Sequence, residues 1–373
     1  MSNGPGEVWG WAIPVARALQ RLFRTTVRLA LPPCQYATGR EAEVARRTGL
    51  FHEVLDPGAC LRLSLGLGHL RVDRVVHLGG DLWYAVRLGR RARCPILAYT
   101  ERTLIAFRHR AFSWIGTPTE EVAHRLVALG VPGRKVEVVG ELRVDALAAG
   151  LHSAEEGGPA ERDRLLLLLP GSRPSLVRDL APLMVRIGEL VRRVHRDVEV
   201  AMAASPFLPS GLLEGIVPDR GIRVLTGEEE RLRAYRRAAL ALTVPGTSSL
   251  ELAYLHTPMV VWLPLYDPAR LPLEGLLEWV GRVPLAGRAV KAAAVRRYLR
   301  TPRLVALPNR LAGHRIVEEV VGDDPVEAVA HRVVELLRDG TRRAQMQRAL
   351  QAHFPCAPGA AERLARRIAE GDA

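Results

Sequence analysis

The chain has 373 residues, with 53 Lys or Arg against 40 Asp or Glu for a net charge of +13. Its 48% hydrophobic and 25% charged content is that of a globular protein and excludes a disordered one, and no apolar run approaches the ~18 residues of a membrane-spanning helix. The four cysteines, Cys34, Cys60, Cys94 and Cys356, form no C-x-x-C pair, which argues against a disulfide scaffold or zinc knuckle and fits a reducing cytoplasm.

At the start, Ser2-Asn3-Gly4-Pro5-Gly6-Glu7 reads as a strand-to-helix turn leading into an amphipathic helix over Val8–Phe23. The central strand that normally feeds such a turn does not precede it in the sequence, and the expectation is that such a strand belongs before Ser2. Strands are expected at Thr26–Leu31, Arg74–Leu78, Pro95–Ala98 and Lys135–Val139, with a helix over Thr119–Leu129. The polar, glycine-rich stretch His152–Pro159 reads as a linker. Beyond it, strands are expected at Leu165–Leu169, Val198–Ala203, Ile222–Leu225, Leu240–Val244, Met259–Leu263 and Leu304–Leu307. Helices are expected between them at Leu176–Val194, Glu228–Ala238, Leu250–Leu255 and Gly313–Val320, followed by Val326–Leu337, Thr341–Ala352 and Gly359–Glu370. Most of the strands are unbroken apolar runs, the pattern of strands covered on both faces. Alternation of strand and helix gives an α/β, doubly wound fold.

Three turns of the second half carry candidate chemistry. Leu165–Leu169 runs into Pro170-Gly171-Ser172-Arg173 and then a helix. A helix N-terminus there attracts anions, and the forked guanidinium of Arg173 suits phosphate oxygens; a plain Pro-Gly turn fits the same residues. The run Val244-Pro245-Gly246-Thr247-Ser248-Ser249-Leu250-Glu251 offers hydroxyls and N–H groups to a diphosphate and a carboxylate to ribose hydroxyls, although Ser248-x-x-Glu251 is also a capping box. Both turns fall at carboxyl ends of strands, where open α/β sheets bind ligands. In Leu307-Pro308-Asn309-Arg310-Leu311-Ala312-Gly313, Asn309 can serve a base or sugar, or simply make a turn.

In the first half, Asp81 follows Val75-Val76-His77-Leu78-Gly79-Gly80 and is a candidate general base. Glu7 is a second carboxylate for the same cleft, or an exposed loop acid. Arg102, Arg108 and Arg110 interleave with Phe107 and Trp114 among other apolar residues, a pattern that suits an anionic membrane surface or a half-buried helix. The positive charge favours polyanionic partners, but the arginines are spread along the chain and nucleic acid is not expected.

Taken in order, these segments resemble lipid-A-disaccharide synthase, a GT-B glycosyltransferase. The carrying residues are Leu168-Leu169-Pro170-Gly171-Ser172-Arg173, Pro245-Gly246-Thr247-Ser248-Ser249-Leu250-Glu251 and Thr257-Pro258-Met259-Val260-Val261, then Leu307–Gly313 and Pro358-Gly359-Ala360-Ala361-Glu362. Val139-Gly140 with Val144-Asp145 resembles the segment that precedes the interdomain linker. Departures concentrate in the first half: the family's G-E-x-S-G-D turn reads Gly4-Pro5-Gly6-Glu7-Val8-Trp9, and of its G-I-D-x-P-D-F-N only the glycine and first aspartate persist, in Gly79-Gly80-Asp81.

The resemblance implies a GT-B fold of two Rossmann-like domains facing across a cleft. They are an acceptor domain over 1–150, a linker over 151–163, a nucleotide-sugar domain over 164–357, and a terminal helix over 358–373 that crosses back to the first domain. It implies an inverting hexosyltransferase that moves a sugar from UDP-2,3-diacylglucosamine or a similar UDP-hexosamine to a lipid-linked acceptor. Gly171, Ser172, Arg173, Gly246, Thr247, Ser248, Glu251 and Asn309 would hold the donor. Arg173 would stabilise the departing UDP, and Asp81 with Glu7 would serve the acceptor. Arg102, Phe107, Arg108, Arg110 and Trp114 would meet the membrane or acceptor on the inner face of the cytoplasmic membrane. No D-x-D motif appears, so no metal or other cofactor is expected. Two alternatives stand beside this reading: a UDP-N-acetylglucosamine 2-epimerase-like enzyme, and a nucleotide-sugar-binding protein that has lost catalysis.

Overall fold

A computed structural model describes residues 1–34, 37–151, 163–217, 221–265 and 304–370. The fold is mixed α/β, built on parallel sheets. The expected linker falls outside the described residues except at its ends, Leu151 and Asp163.

In chain order the strands are β1 (Arg28–Ala30), β2 (Glu53–Leu55), β3 (Val75–His77), β4 (Ile96–Tyr99), β5 (Trp114–Thr117) and β6 (Val136–Val138). They are followed by β7 (Asp163–Leu169), β8 (Glu199–Ala203), β9 (Arg223–Leu225), β10 (Ala238–Thr243), β11 (Met259–Pro264) and β12 (Glu318–Gly322). The second half forms one parallel sheet in the order β9-β8-β7-β10-β11-β12. Counted from β7, this is the 3-2-1-4-5-6 order of a doubly wound sheet, with its switch point between β7 and β10. In the first half, β1 pairs with β2, and β3, β4, β5 and β6 form a second parallel sheet. Between β1 and β3 lie Met1 and Ser2: the Ser2 N–H donates to Ala30, the Met1 ammonium donates to the Val76 carbonyl at 2.7 Å, and the Leu78 N–H donates to Met1.

Strand β7 explains why its sequence reads as leucine without interruption. Leu165, Leu167 and Leu169 belong to one core cluster and Leu166 and Leu168 to another, so both faces of the strand are covered and neither tolerates a polar residue. Leu166, Leu167 and Leu168 are fully buried, each such side chain stabilising the fold by about 1.5–3 kcal/mol. The cluster on the Leu165 side is continuous across the molecule: it also holds Trp9 and Trp11 of the first helix, Tyr99 and Trp114 of the first half, and Leu364 and Ile368 near the carboxyl end.

The first helix runs through Pro5–Glu7, a π-helical segment Val8–Ala12, and Ile13–Leu22. The last, Ala360–Glu370, packs on Ile13–Leu22. Asp145 accepts hydrogen bonds from the Gly359 and Ala361 N–H groups at its start, at 2.7 and 3.2 Å, and Arg363 donates to the Val139 carbonyl.

The structure corrects the expectations around residue 310. Leu304–Leu307 is not a strand and Gly313–Val320 is not a helix; Leu307–Ala312 is helical and Glu318–Gly322 is β12. Pro308 sits in the first helical turn, where its missing N–H costs nothing, and Gly313 ends the helix in a left-handed conformation with φ 76°. Two further strands, β2 and β5, have no counterpart among the expected elements.

Candidate functional site

The switch point of the second sheet is open. The turn after β7 places Gly171 at φ 102°, a conformation that glycine adopts without steric cost. The helix behind it, Pro174–Val194, starts at Arg173 without a side-chain cap. The turn after β10 starts helix Thr247–Tyr254 at Gly246, again without a side-chain cap. The capping-box geometry is not formed; instead the Ser249 hydroxyl donates to the Gly246 carbonyl at 2.7 Å, and Glu251 turns inward.

Between the two turns lies a cleft that opens to solvent. Its walls are Gly171 and Ser172 from the first turn, Thr247, Ser248 and Glu251 from the second, Ser205 to Phe207 after β8, and Arg231 with Tyr235 from helix Glu228–Arg237. The first half supplies Pro5, Gly6 and Trp9. Glycine is required at Gly6 because a Cβ there would lie 2.7 Å from Cγ2 of Thr247.

Two buried arginines lie beside the π-helical segment. Arg231 sits 5.5 Å from the centroids of both Trp9 and Tyr235, donates to the Tyr235 hydroxyl at 3.3 Å, and lies 3.8 Å from Glu251. Burial pushes the Glu251 carboxyl above its ordinary range, opposed by Arg231, and pushes the Tyr235 hydroxyl up to about 12. Trp9 Nε1 donates to Glu228 at 3.0 Å. The second arginine, Arg143, lies 5.0 Å from the Trp11 ring and 3.3 Å from both Glu101 and Glu141; burial opposes its charge, but those two carboxylates more than offset this and raise its pKa.

The switch point of the first half is tighter. The Gly79-Gly80 turn, which leads to Asp81, lies against the Glu7 side chain: a Cβ on Gly79 would be 3.0 Å from Glu7 Cγ. Burial raises the Glu7 carboxyl, partly offset by its own backbone N–H and by Arg143. Asp81 is exposed and caps helix Leu82–Ala92, accepting from the Trp83 N–H at 2.8 Å. Neither Glu7 nor Asp81 lines the cleft between the turns.

Two expected site residues are corrected. Asn309 is fully buried and saturated: its amide donates to Val317 and Glu319 at 3.0 and 2.8 Å, and its carbonyl oxygen accepts from the Ile316 and Val317 N–H groups at 2.7 and 2.8 Å. It pins the turn into β12 and has no group left for a donor. Trp114 is 1% exposed on β5 and donates to Glu137 at 2.9 Å, so it cannot meet a membrane. By contrast, Phe107 is 82% and Leu104 65% exposed, and Arg102, Arg108 and Arg110 are exposed around them. The sequence reading omits Trp9, Phe207, Arg231 and Tyr235; the only signal for the last two is their i, i+4 spacing, which puts both on one helical face.

Residues 154–266 match the family model for lipid-A-disaccharide synthetase. The lipid-A-disaccharide synthase of Anaeromyxobacter sp. (strain K) is 28% identical over 318 residues, covering 84% of this chain and 72% of that protein. That of Bordetella avium (strain 197N) is 26% identical over 326 residues, covering 84% and 74%. Over most of its length the chain is similar to the lipid-A-disaccharide synthases. The stretch matched by the lipid-A-disaccharide synthetase model contains β7, both glycine-bearing turns, Arg231 and Glu251. Among solved structures, Acinetobacter baumannii MurG superposes with a TM-score of 0.53 at 16% identity, covering 100% of this chain and 98% of that one. The Neisseria meningitidis UDP-GlcNAc 2-epimerase bound to UDP-GlcNAc gives 0.56 at 14%, covering 99% and 97%. At such identity these likenesses establish the fold alone, which is GT-B.

Proposed function

We propose that the protein is an inverting glycosyltransferase that moves a hexosamine unit from a UDP-sugar to a hydroxyl of a lipid-linked acceptor and releases UDP. The observation that carries this reading is the cleft at the second switch point, lined together by Gly171–Ser172 and Thr247–Ser248 and closed by Pro5, Gly6 and Trp9. The two helix starts offer backbone N–H groups to a diphosphate. Arg173, beside the first turn, stabilises the charge that grows on the leaving phosphate oxygen as the bond from the anomeric carbon to that oxygen breaks. Glu251 accepts hydrogen bonds from sugar hydroxyls. Asp81 is the proposed base: it takes the proton of the acceptor hydroxyl as that oxygen bonds to the anomeric carbon from the opposite side. Glu7, behind the same turn, supports the acceptor side.

Among the described residues, no three His, Cys, Asp or Glu side chains gather as a metal site, and the reading assigns charge neutralisation to helix N-termini and Arg173. Among the same residues no helix is long and apolar enough to cross a membrane. A reducing cytoplasm suits four cysteines that form no C-x-x-C pair, and the exposed Leu104 and Phe107 with Arg102, Arg108 and Arg110 suit docking of the acceptor side on an anionic membrane surface.

The test is UDP release from a UDP-hexosamine in the presence and absence of a lipid-linked acceptor. The expected result is release only with acceptor, retained in chelator, and reduced at least ~100-fold in Arg173→Ala. Conversion of the donor to its 2-epimer without acceptor would favour the epimerase alternative, and UDP binding without turnover the binding protein.

A further inference from the structure

We infer that Arg231 is a phosphate-recognising residue of this cleft, paired with Glu251 so that the two together take a sugar phosphate. This deepens the donor-site reading above and rests on it. The Arg231 side chain is only 6% exposed, yet it lines the cleft between the two glycine-bearing turns. Its Nε and Nη2 have no hydrogen-bond partner among the described residues, and neither has Glu251 Oε2. Unmet donors on a buried guanidinium are costly, and a ligand that accepts them recovers that cost.

The guanidinium is also held in place before any ligand arrives. Trp9 and Tyr235 both lie 5.5 Å from it, and Nη1 is engaged by the Tyr235 hydroxyl. Little side-chain entropy remains to be lost on binding. A fixed cationic fork beside a carboxylate oxygen that still accepts matches a phosphate adjacent to a sugar hydroxyl. Trp9 comes from the first half of the chain, so a ligand on Arg231 also contacts the group that closes the cleft.

The experiment measures affinity for uridine, UMP and UDP by calorimetric titration, in the wild type, Arg231→Gln and Arg231→Lys, with folding checked by circular dichroism. In Arg231→Gln, UDP affinity is expected to fall roughly 30-fold, as for loss of charge-assisted hydrogen bonds, with uridine changed less than about twofold. Arg231→Lys keeps the charge but not the fork, and is expected to lose roughly 10-fold on UDP alone; it also serves if the glutamine variant does not fold. Wild-type affinity for UDP in the variants would overturn the assignment, as would equal losses for uridine and UDP. Failure of the wild type to bind UDP at all would instead overturn the donor-site reading beneath it.

Discussion

The two switch points of this molecule are built alike but differ in how closely they are packed. In the second sheet the turns after β7 and β10 diverge and leave the cleft of Gly171, Ser172, Thr247 and Ser248. In the first half the corresponding turns close on each other: the Glu7 side chain packs on Gly79, and Asp81 is already engaged by a backbone N–H. Arg231 and Glu251 keep unmet hydrogen-bonding atoms at the open point, whereas Asn309, near the edge of the same sheet, has none left. Arg231 and Glu251 line the cleft with those atoms unmet, while the saturated Asn309 does not line it.

That contrast can be attacked from several sides. Asn309→Ala removes four buried hydrogen bonds from the turn into β12 and is expected to lower unfolding free energy by about 3 kcal/mol, read by urea titration. UDP affinity of the folded fraction should stay within about twofold; a large affinity loss at unchanged stability would return Asn309 to the donor site. Asp81→Asn preserves the helix cap, since Asn caps as well as Asp. Stability should move by less than about 0.5 kcal/mol, while acceptor-dependent UDP release should fall at least ~100-fold, equivalent to about 2.7 kcal/mol. Unchanged turnover would remove Asp81 from the base role.

A smaller effect concerns His77, buried in β3 at the first switch point, with its Nδ1 unpartnered. Burial, and secondarily the nearby Met1 ammonium, push its pKa down to about 3. The unfolded chain, near 6.5, therefore binds a proton that the folded chain refuses between about pH 6.5 and 3, and stability falls as pH drops through that window. Between pH 8 and 5.5 the expected loss from this group is about 1.4 kcal/mol. In His77→Gln that part of the pH slope should disappear; an unchanged slope would assign it to other groups.

The legible parts of the sequence were those whose environment is uniform along the segment. Leu165–Leu169 reads as a strand because both its faces are covered, and the turns after β7 and β10 read as anion sites because glycine, hydroxyl and helix start follow a strand directly. Glu318–Gly322 reads poorly because Glu-Glu-Val-Val at a sheet edge satisfies helical spacing as well as strand spacing; its place is set by parallel pairing with β11 and by the hydrogen bonds from Val305, Ala306 and Asn309 to Glu319. Trp114 lies next to a basic, apolar stretch, but its burial is set by β4 and β6 on either side. Arg231 lies in a helix of Glu and Arg whose outer face is solvated, and its burial depends on Trp9 arriving from the opposite end of the chain. Such contacts have no local signature.

A crystal structure of the protein with UDP bound tests the central claim most directly. The diphosphate is expected between Gly171–Ser172 and Thr247–Ser248, with a phosphate oxygen within hydrogen-bond distance of Arg231 or Arg173. Nucleotide bound on any other surface, or an empty cleft at saturating UDP, would contradict the account.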